Sequence, residues 1–284
     1  MTAGAFVTQP SAAPAKPTFV AEKGAKAIEV RDLSVRFGVR TASPVLAVDR
    51  VSFSLEVGEF VSLVGPSGCG KTTILNLLTG LLQEQPEGDV RVLDRHPYPG
   101  NPDIAYMLAR DSLLPWRKAL GNAAYGMEIR NVPKALREER ARDLLNRVGL
   151  GDFVDRYPKA LSHGMRQRCA LARTFALDSP VFLMDEPFGA LDAQTKLQLE
   201  DVLMDLWSAN RRTVVFVTHD LAEAVALSDR VIVMGARPGR IIADVPIDLP
   251  RPRHVRALQK DPRFHALYSQ LWSLLEQGMG HADH

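Results

Sequence analysis

The segment Gly65-Pro66-Ser67-Gly68-Cys69-Gly70-Lys71-Thr72 constrains this chain more than any other. It fits the pattern G-x-x-x-x-G-K-[S/T]. It also stands where the pattern has physical meaning, after the apolar run EFVSLVG (residues 59–65) and before the helical pattern KTTILNLLTGLL (residues 71–82). A strand that breaks into a glycine-rich loop and then a helix presents successive backbone N–H groups at the helix N-terminus, where anions are stabilised. Glycine lets the backbone wrap closely around phosphate oxygens, because it has no Cβ and tolerates positive φ. In that arrangement Lys71 neutralises the β- and γ-phosphates of a nucleotide, Thr72 offers its hydroxyl to Mg²⁺, and Thr73 supports a phosphate. Cys69 reads as a small loop residue with no catalytic role.

The rest of the chain supplies the fold that such a loop needs. Strand patterns occur at IEVRDLSVRF (28–37), VSFSLEV (51–57), DVRVL (89–93), VFLMD (181–185), TVVFVTH (213–219) and RVIVMG (230–235). Helical patterns occur at 133–149, 165–178, 193–210 and 220–228, with a further helix expected over 264–277. Strands alternating with helices predict an α/β fold with a mostly parallel sheet covered on both faces. Residues 107–166 show helices and no convincing strand, and are expected to be a helical insert within a main domain spanning 27–245. Residues 1–26, rich in Ala, Pro and Lys, are expected to be a disordered tail, and 246–284 a C-terminal extension.

Composition narrows the class further. Lys+Arg exceed Asp+Glu by only 35 to 33, which argues against a nucleic-acid binder that relies on a basic surface. Two cysteines, Cys69 and Cys169, exclude a disulfide framework and point to a reducing compartment. No run of about 18 apolar residues and no secretory leader pattern is present, so a soluble, cytoplasmic protein is expected.

The run Val181-Phe182-Leu183-Met184 ends in Asp185-Glu186, about 114 residues after the phosphate loop. In an open parallel sheet, ligands collect at the carboxyl ends of the strands, so a strand ending in two acids delivers both to the phosphates. Asp185 would hold Mg²⁺ directly or through water, and Glu186 would orient or deprotonate the attacking water.

Several further motifs carry a resemblance. Leu161-Ser162-His163-Gly164-Met165-Arg166-Gln167-Arg168 resembles the LSGG-x-x-Q-R signature of ATP-binding-cassette (ABC) proteins. Pro187-Phe188-Gly189-Ala190-Leu191-Asp192 resembles that family's D-loop. His219 matches its switch histidine, and Phe37 the aromatic that stacks on adenine, although an aromatic at a strand end also serves as core packing. These motifs lie in the family's order over about residues 28–245, and the chain is identified as a member of the ABC nucleotide-binding subunits. The resemblance implies a P-loop NTPase cassette with a mostly parallel core sheet, an antiparallel β subdomain and the helical insert. It implies ATP and Mg²⁺ as ligands and a head-to-tail dimer with two ATP molecules sandwiched between copies. Ser162 and Gly164 of one copy would then face the γ-phosphate held by the other, and Asp192 would help to join the two and position water. The physics agrees, because Ser162 is a good N-cap and a second helix N-terminus suits a second anion contact.

Two positions depart from the family pattern. Ala109 stands where a glutamine usually contacts Mg²⁺ and water, and His163 where the first glycine of the signature pair is usual. Hydrolysis is expected to survive the first change, with a weakly hydrolysing nucleotide sensor as the alternative. His163 either approaches the opposite nucleotide or points away. The segment Leu113-Leu114-Pro115-Trp116-Arg117 and the tail LPRPRHV…DPRFHALYSQLW resemble importers of the nitrate/sulfonate/taurine group. That match implies a separate inner-membrane permease, an extracytoplasmic solute-binding protein, and a peripheral position on the cytoplasmic membrane face. Leu113, Leu114 and Trp116 are expected near the permease groove or in simple packing of the insert.

Overall fold

The parallel strands of this chain are short and largely apolar, as befits strands covered on both faces. In the computed structural model, which describes residues 24–39, 43–189 and 191–280, they are β3 (Phe60–Val64), β5 (Ile104–Met107), β6 (Val181–Asp185), β7 (Thr213–Thr218) and β8 (Arg230–Met234). With the antiparallel edge strand β9 (Ile241–Pro246) they form a six-stranded sheet in the order β5-β6-β7-β3-β8-β9. Alternation assigns each side chain to a face. Phe182, Met184, Val214 and Phe216 join one core with the helices α2 (Ala119–Ile129) to α6 (Leu221–Leu227), whereas Val181, Leu183, Val215 and Val217 join another. The second core is completed by α1 (Lys71–Leu78) and by a three-stranded antiparallel sheet, β2-β1-β4, made from β1 (Lys26–Phe37), β2 (Val45–Glu56) and β4 (Glu87–Val92). Ser62 is the polar residue in the middle of β3, and its hydroxyl is satisfied by Ser228 Oγ at 2.5 Å.

Register decides where the chemistry sits. Val64 pairs with Thr218 and Asp185 pairs with Val217, all in parallel. The phosphate loop after β3, the acids ending β6 and the histidine after β7 therefore emerge along one sheet edge.

The helical layer consists of α2, α3 (Lys134–Arg147) and α4 (His163–Ala176), with α5 (Ala193–Ala209) beyond them. Helix α2 has no strong sequence signature because Gly121 and Gly126 lower its propensity. Tertiary contacts override this. Asn122, fully buried, accepts from Leu114 N at 2.7 Å and donates to the carbonyls of Leu114, Arg117 and Lys118. Strands β5 and β9 were likewise not legible. The first has only four residues, and the second is a half-exposed edge strand ending in proline. Met107, placed by the sequence at the start of the insert, is the last residue of β5.

After β9 the chain returns across the end of α6. Arg253, buried, donates to Ser228 O at 2.6 Å, Leu249 O at 2.9 Å and Ile247 O at 3.2 Å. Arg251 donates to Leu227 O at 2.7 Å and to Asp229 Oδ1 at 2.8 Å. These guanidinium groups satisfy carbonyls at and just beyond the C-terminal end of α6, where positive charge is favoured. Helices α7 (Val255–Leu258) and α8 (Pro262–Gly280) follow, with Phe264 and Leu271 buried in the core. Strand β1 begins at Lys26, so the expected tail falls on residues almost all of which lie outside the described ones, as does Ala190.

Candidate functional site

A cleft of about 500 Å³ opens at this sheet edge, lined by Phe37, Ala47, Ser67, Gly68, Gly70, Lys71, Thr72, Thr73, Ala109, Asp185 and Glu186. The phosphate loop is its floor. Lys71 is only 6% exposed, and its Nζ donates to Gly65 O at 2.7 Å and Pro66 O at 3.0 Å, with Cys69 Sγ at 3.7 Å. Its charge is thus held by neutral carbonyls and remains available to an anion. Gly65, Pro66 and Cys69 shape the loop from beneath, and Cys69 is fully buried with its thiol pushed up by burial. Gly70 must be glycine: its φ is +92°, and a Cβ there would lie 2.6 Å from Val48 Cγ2.

Opposite the lysine, Thr72 Oγ1 donates to Asp185, 3.1 Å from Oδ2 and 3.3 Å from Oδ1. Burial raises the Asp185 carboxyl above its usual range and adjacent Glu186 adds repulsion, against the opposing pull of Thr72, Lys71 and Tyr106. An exposed hydroxyl and a buried carboxylate converging in this way, with the acid's charge disfavoured chiefly by burial, are a set of hard oxygen donors that fits Mg²⁺. Glu186 follows with φ 44° and its N–H bound to Val217 O, which turns its side chain toward β7. There His219 Nδ1 lies 3.1 Å from Glu186 Oε2. Phe37 ends β1 at the cleft wall and also packs against the second core.

The structure thus brings Phe37, Ser67, Gly68, Gly70 to Thr73, Asp185 and Glu186 together around one cleft, with His219 against Glu186. Ser162, Gly164 and Asp192 do not line it. Ser162 caps α4, accepting from Met165 N at 3.3 Å, and Asp192 caps α5, accepting from Thr195 N at 3.0 Å. The two caps are neighbours, since a Cβ on Gly164 would come within 2.6 Å of Thr195 Cγ2. His163 turns back on its own helix, with Nδ1 3.2 Å from Arg166 Nη2. Ala109 lines the cleft, as its sequence position implied, and Gln167 donates to its carbonyl at 3.4 Å. Leu113 is a core residue, whereas Trp116 stands 71% exposed at a groove it shares with Leu120, Glu128 and Tyr157.

Sequence reading missed three residues here. Tyr106, from the short strand β5, donates from its hydroxyl to Asn76 Oδ1 at 3.4 Å, and burial together with the nearby Asp185 carboxylate raises its pKa strongly. Ala47 lines the cleft from β2. Arg237, in the β8–β9 connection, lies over the phosphate loop, its Nη2 3.2 Å from where a Gly68 side chain would stand. None belongs to a motif; a basic residue in an otherwise turn-like GARPGR run was the only signal.

Comparison with known proteins agrees with this geometry. The family model described as "ABC transporter" matches residues 48–189. A putative ATP-binding protein of Brucella abortus is 46% identical over 227 residues, covering 80% of this chain and 86% of that one. The taurine import ATP-binding protein TauB of Rhizobium johnstonii is 37% identical over 252 residues, covering 87% and 96%. Among solved structures, the dimeric post-hydrolysis state of the ATP-binding cassette MJ0796 bound to ADP and Pi superposes with a TM-score of 0.68 at 27% identity, covering 78% of this chain and all of that one. The loop, the acid pair and the relatives lead to one conclusion: the chain belongs to the ATP-binding family of ABC transporters.

Proposed function

We propose that the protein hydrolyses ATP to energise solute uptake through a separate permease of the inner membrane. The observation that carries this reading is the convergence of Lys71, Thr72, Asp185, Glu186 and His219 at one sheet edge. Lys71 and the loop N–H groups bind and orient the phosphates. Thr72 and Asp185 would hold Mg²⁺, which supplies charge neutralisation on the β- and γ-phosphates when bound. Glu186 orients a water toward the γ-phosphorus and takes its proton, and His219 holds that carboxylate in place. Water adds to phosphorus as the bond to the ADP oxygen breaks.

One copy carries only half of each site. Ser162, Gly164 and Asp192 stand apart from their own cleft, which supports a head-to-tail dimer in which they complete the partner's. Related structures are dimeric cassettes. The taurine-import names of relatives support an importer with a nitrate-, sulfonate- or taurine-like solute, a peripheral place on the cytoplasmic membrane face, and an extracytoplasmic binding protein as indirect partner. The groove beside Trp116 supports permease docking there.

The test is ATP turnover by the assembled complex of wild type and of Glu186→Gln. Turnover in the wild type and none in the variant is expected; equal inactivity refutes the enzyme reading. A second reading, a nucleotide-sensing module of weak activity, draws on Ala109, whose methyl group lines the cleft where an amide would reach metal and water. Turnover raised at least tenfold by Ala109→Gln would favour it.

A further inference from the structure

A partly buried group of charges lies beside the His219 backbone, and none of the motifs accounts for it. Lys196, in the first turn of α5, places Nζ 2.5 Å from Asp220 Oδ2 and 2.6 Å from Glu223 Oε1. Its side chain is 17% exposed and that of Glu223 only 2%. Glu223 Oε2 accepts from Thr218 Oγ1, which in turn accepts from Asp220 N at 3.0 Å. Asp220 Oδ1 caps α6, accepting from Ala222 N at 2.8 Å. The backbone on both sides of His219 is therefore pinned, while its side chain stays 59% exposed.

The other end of the lysine is equally fixed. Lys196 N donates to Asp192 O at 2.9 Å, in the turn capped by Asp192. The contacts close a ring. From Glu186 the chain runs through the Asp192 loop to Lys196; the ion pair crosses to Asp220; the next residue back is His219, which returns to Glu186 at 3.1 Å. Three carboxyl groups, Asp220, Glu223 and Glu200, surround this one ammonium. A buried ion cluster is a poor source of stability compared with apolar packing, and its best-attested use is to fix one arrangement.

We infer that Lys196 is a positioning residue that locks the Asp192 loop to His219, so that a second copy pressing on that loop sets the His219–Glu186 pair. This rests on the ATPase reading above. Lys196 touches neither the cleft nor any reacting atom, so its loss acts on turnover and not on nucleotide binding.

The experiment uses the full chain, three variants of the ion cluster, and His219→Ala with and without Lys196→Met. Lys196→Met removes the charge, Lys196→Arg restores it, and Lys196→Met with Glu223→Gln also removes one uncompensated carboxylate should the single variant fold poorly. Expected are a kcat at least tenfold lower for both Met variants, an ATP affinity within about threefold of wild type, and recovery in Lys196→Arg. Adding Lys196→Met to His219→Ala should cause no further loss. A parallel loss of affinity, an unchanged kcat, or multiplying effects in the double variant would overturn the inference. One readout is independent of turnover. The His219 imidazole signal of the nucleotide-free chain, identified by NMR through its loss in His219→Ala, should shift or broaden in Lys196→Met; an unmoved signal refutes the lock even if the protein proves not to hydrolyse ATP.

Discussion

Replacing Glu200 by glutamine should stabilise this protein, and by an amount that depends on pH. Glu200 lies on α5 and is 3% exposed. Burial, with Glu223, Asp220 and Asp201 nearby and only Lys196 in opposition, pushes its carboxyl up to about 8 from an ordinary 4.5. The folded state therefore keeps a proton that the unfolded chain releases above pH 4.5. A folded-state pKa above the unfolded one means stability is highest at low pH and falls as pH rises between the two values. Linkage sets the slope at ~1.4 kcal/mol per pH unit, levelling off above the folded pKa. At pH 7 the wild type has lost ~3 kcal/mol from this group alone. Glutamine has the same shape and no proton to take up. Glu200→Gln should therefore exceed wild type by ~3–5 kcal/mol at pH 8 and by less than ~1 kcal/mol at pH 5. Urea unfolding of the nucleotide-free chain at both pH values, followed by far-ultraviolet circular dichroism, measures the difference. A gain equal at both pH values, or a loss at pH 8, would refute the reasoning.

Three other substitutions test other parts of the structure. Gly164→Val drives a side chain into Thr195, whose Cγ2 is 2.6 Å from the Cβ position, so it should abolish the ATP-dependent dimer while single-chain ATP affinity is unchanged, as read by light scattering and nucleotide titration in a Glu186→Gln background. Arg253→Met leaves Ser228 O and Leu249 O without a donor, and should cost ~2–4 kcal/mol and lower Tm by ~5–10 °C in a thermal scan. Trp116→Ala, at a residue 71% exposed, should leave stability within ~0.5 kcal/mol of wild type but abolish permease pull-down; unchanged pull-down removes the docking role.

Much of the site was legible because each motif couples residue type to a backbone position. The phosphate loop needs glycine at φ +92° (Gly70), and the acids need a strand end. Legibility failed where tertiary contact overrides local preference. Helix α2 forms despite two glycines because Asn122 and the surrounding core hold it, and β5 has only the four residues that β6 pairs with. Arg253 had no sequence signal as a buried residue, because its burial depends on carbonyls of α6 and of the chain after β9. Leu113 and Trp116 look alike in sequence, yet one is core and the other exposed.

The sequence by itself determined the chemistry: an anion-binding loop, a pair of carboxylates after an apolar strand, and a histidine after another, in an order that only an α/β sheet brings together. Those features are local, and local sterics and charge are written in neighbouring residues. The tertiary structure alone decided how they meet. Parallel register put Val64 beside Thr218 and Asp185 beside Val217, and so set His219 against Glu186. Folding also enclosed Lys196 with three carboxyl groups more than twenty residues away or one helical turn along, and left Ser162, Gly164 and Asp192 off their own cleft. The physical reason is that register, burial and long-range ion pairing depend on residues distant in the chain, which no single stretch of sequence contains.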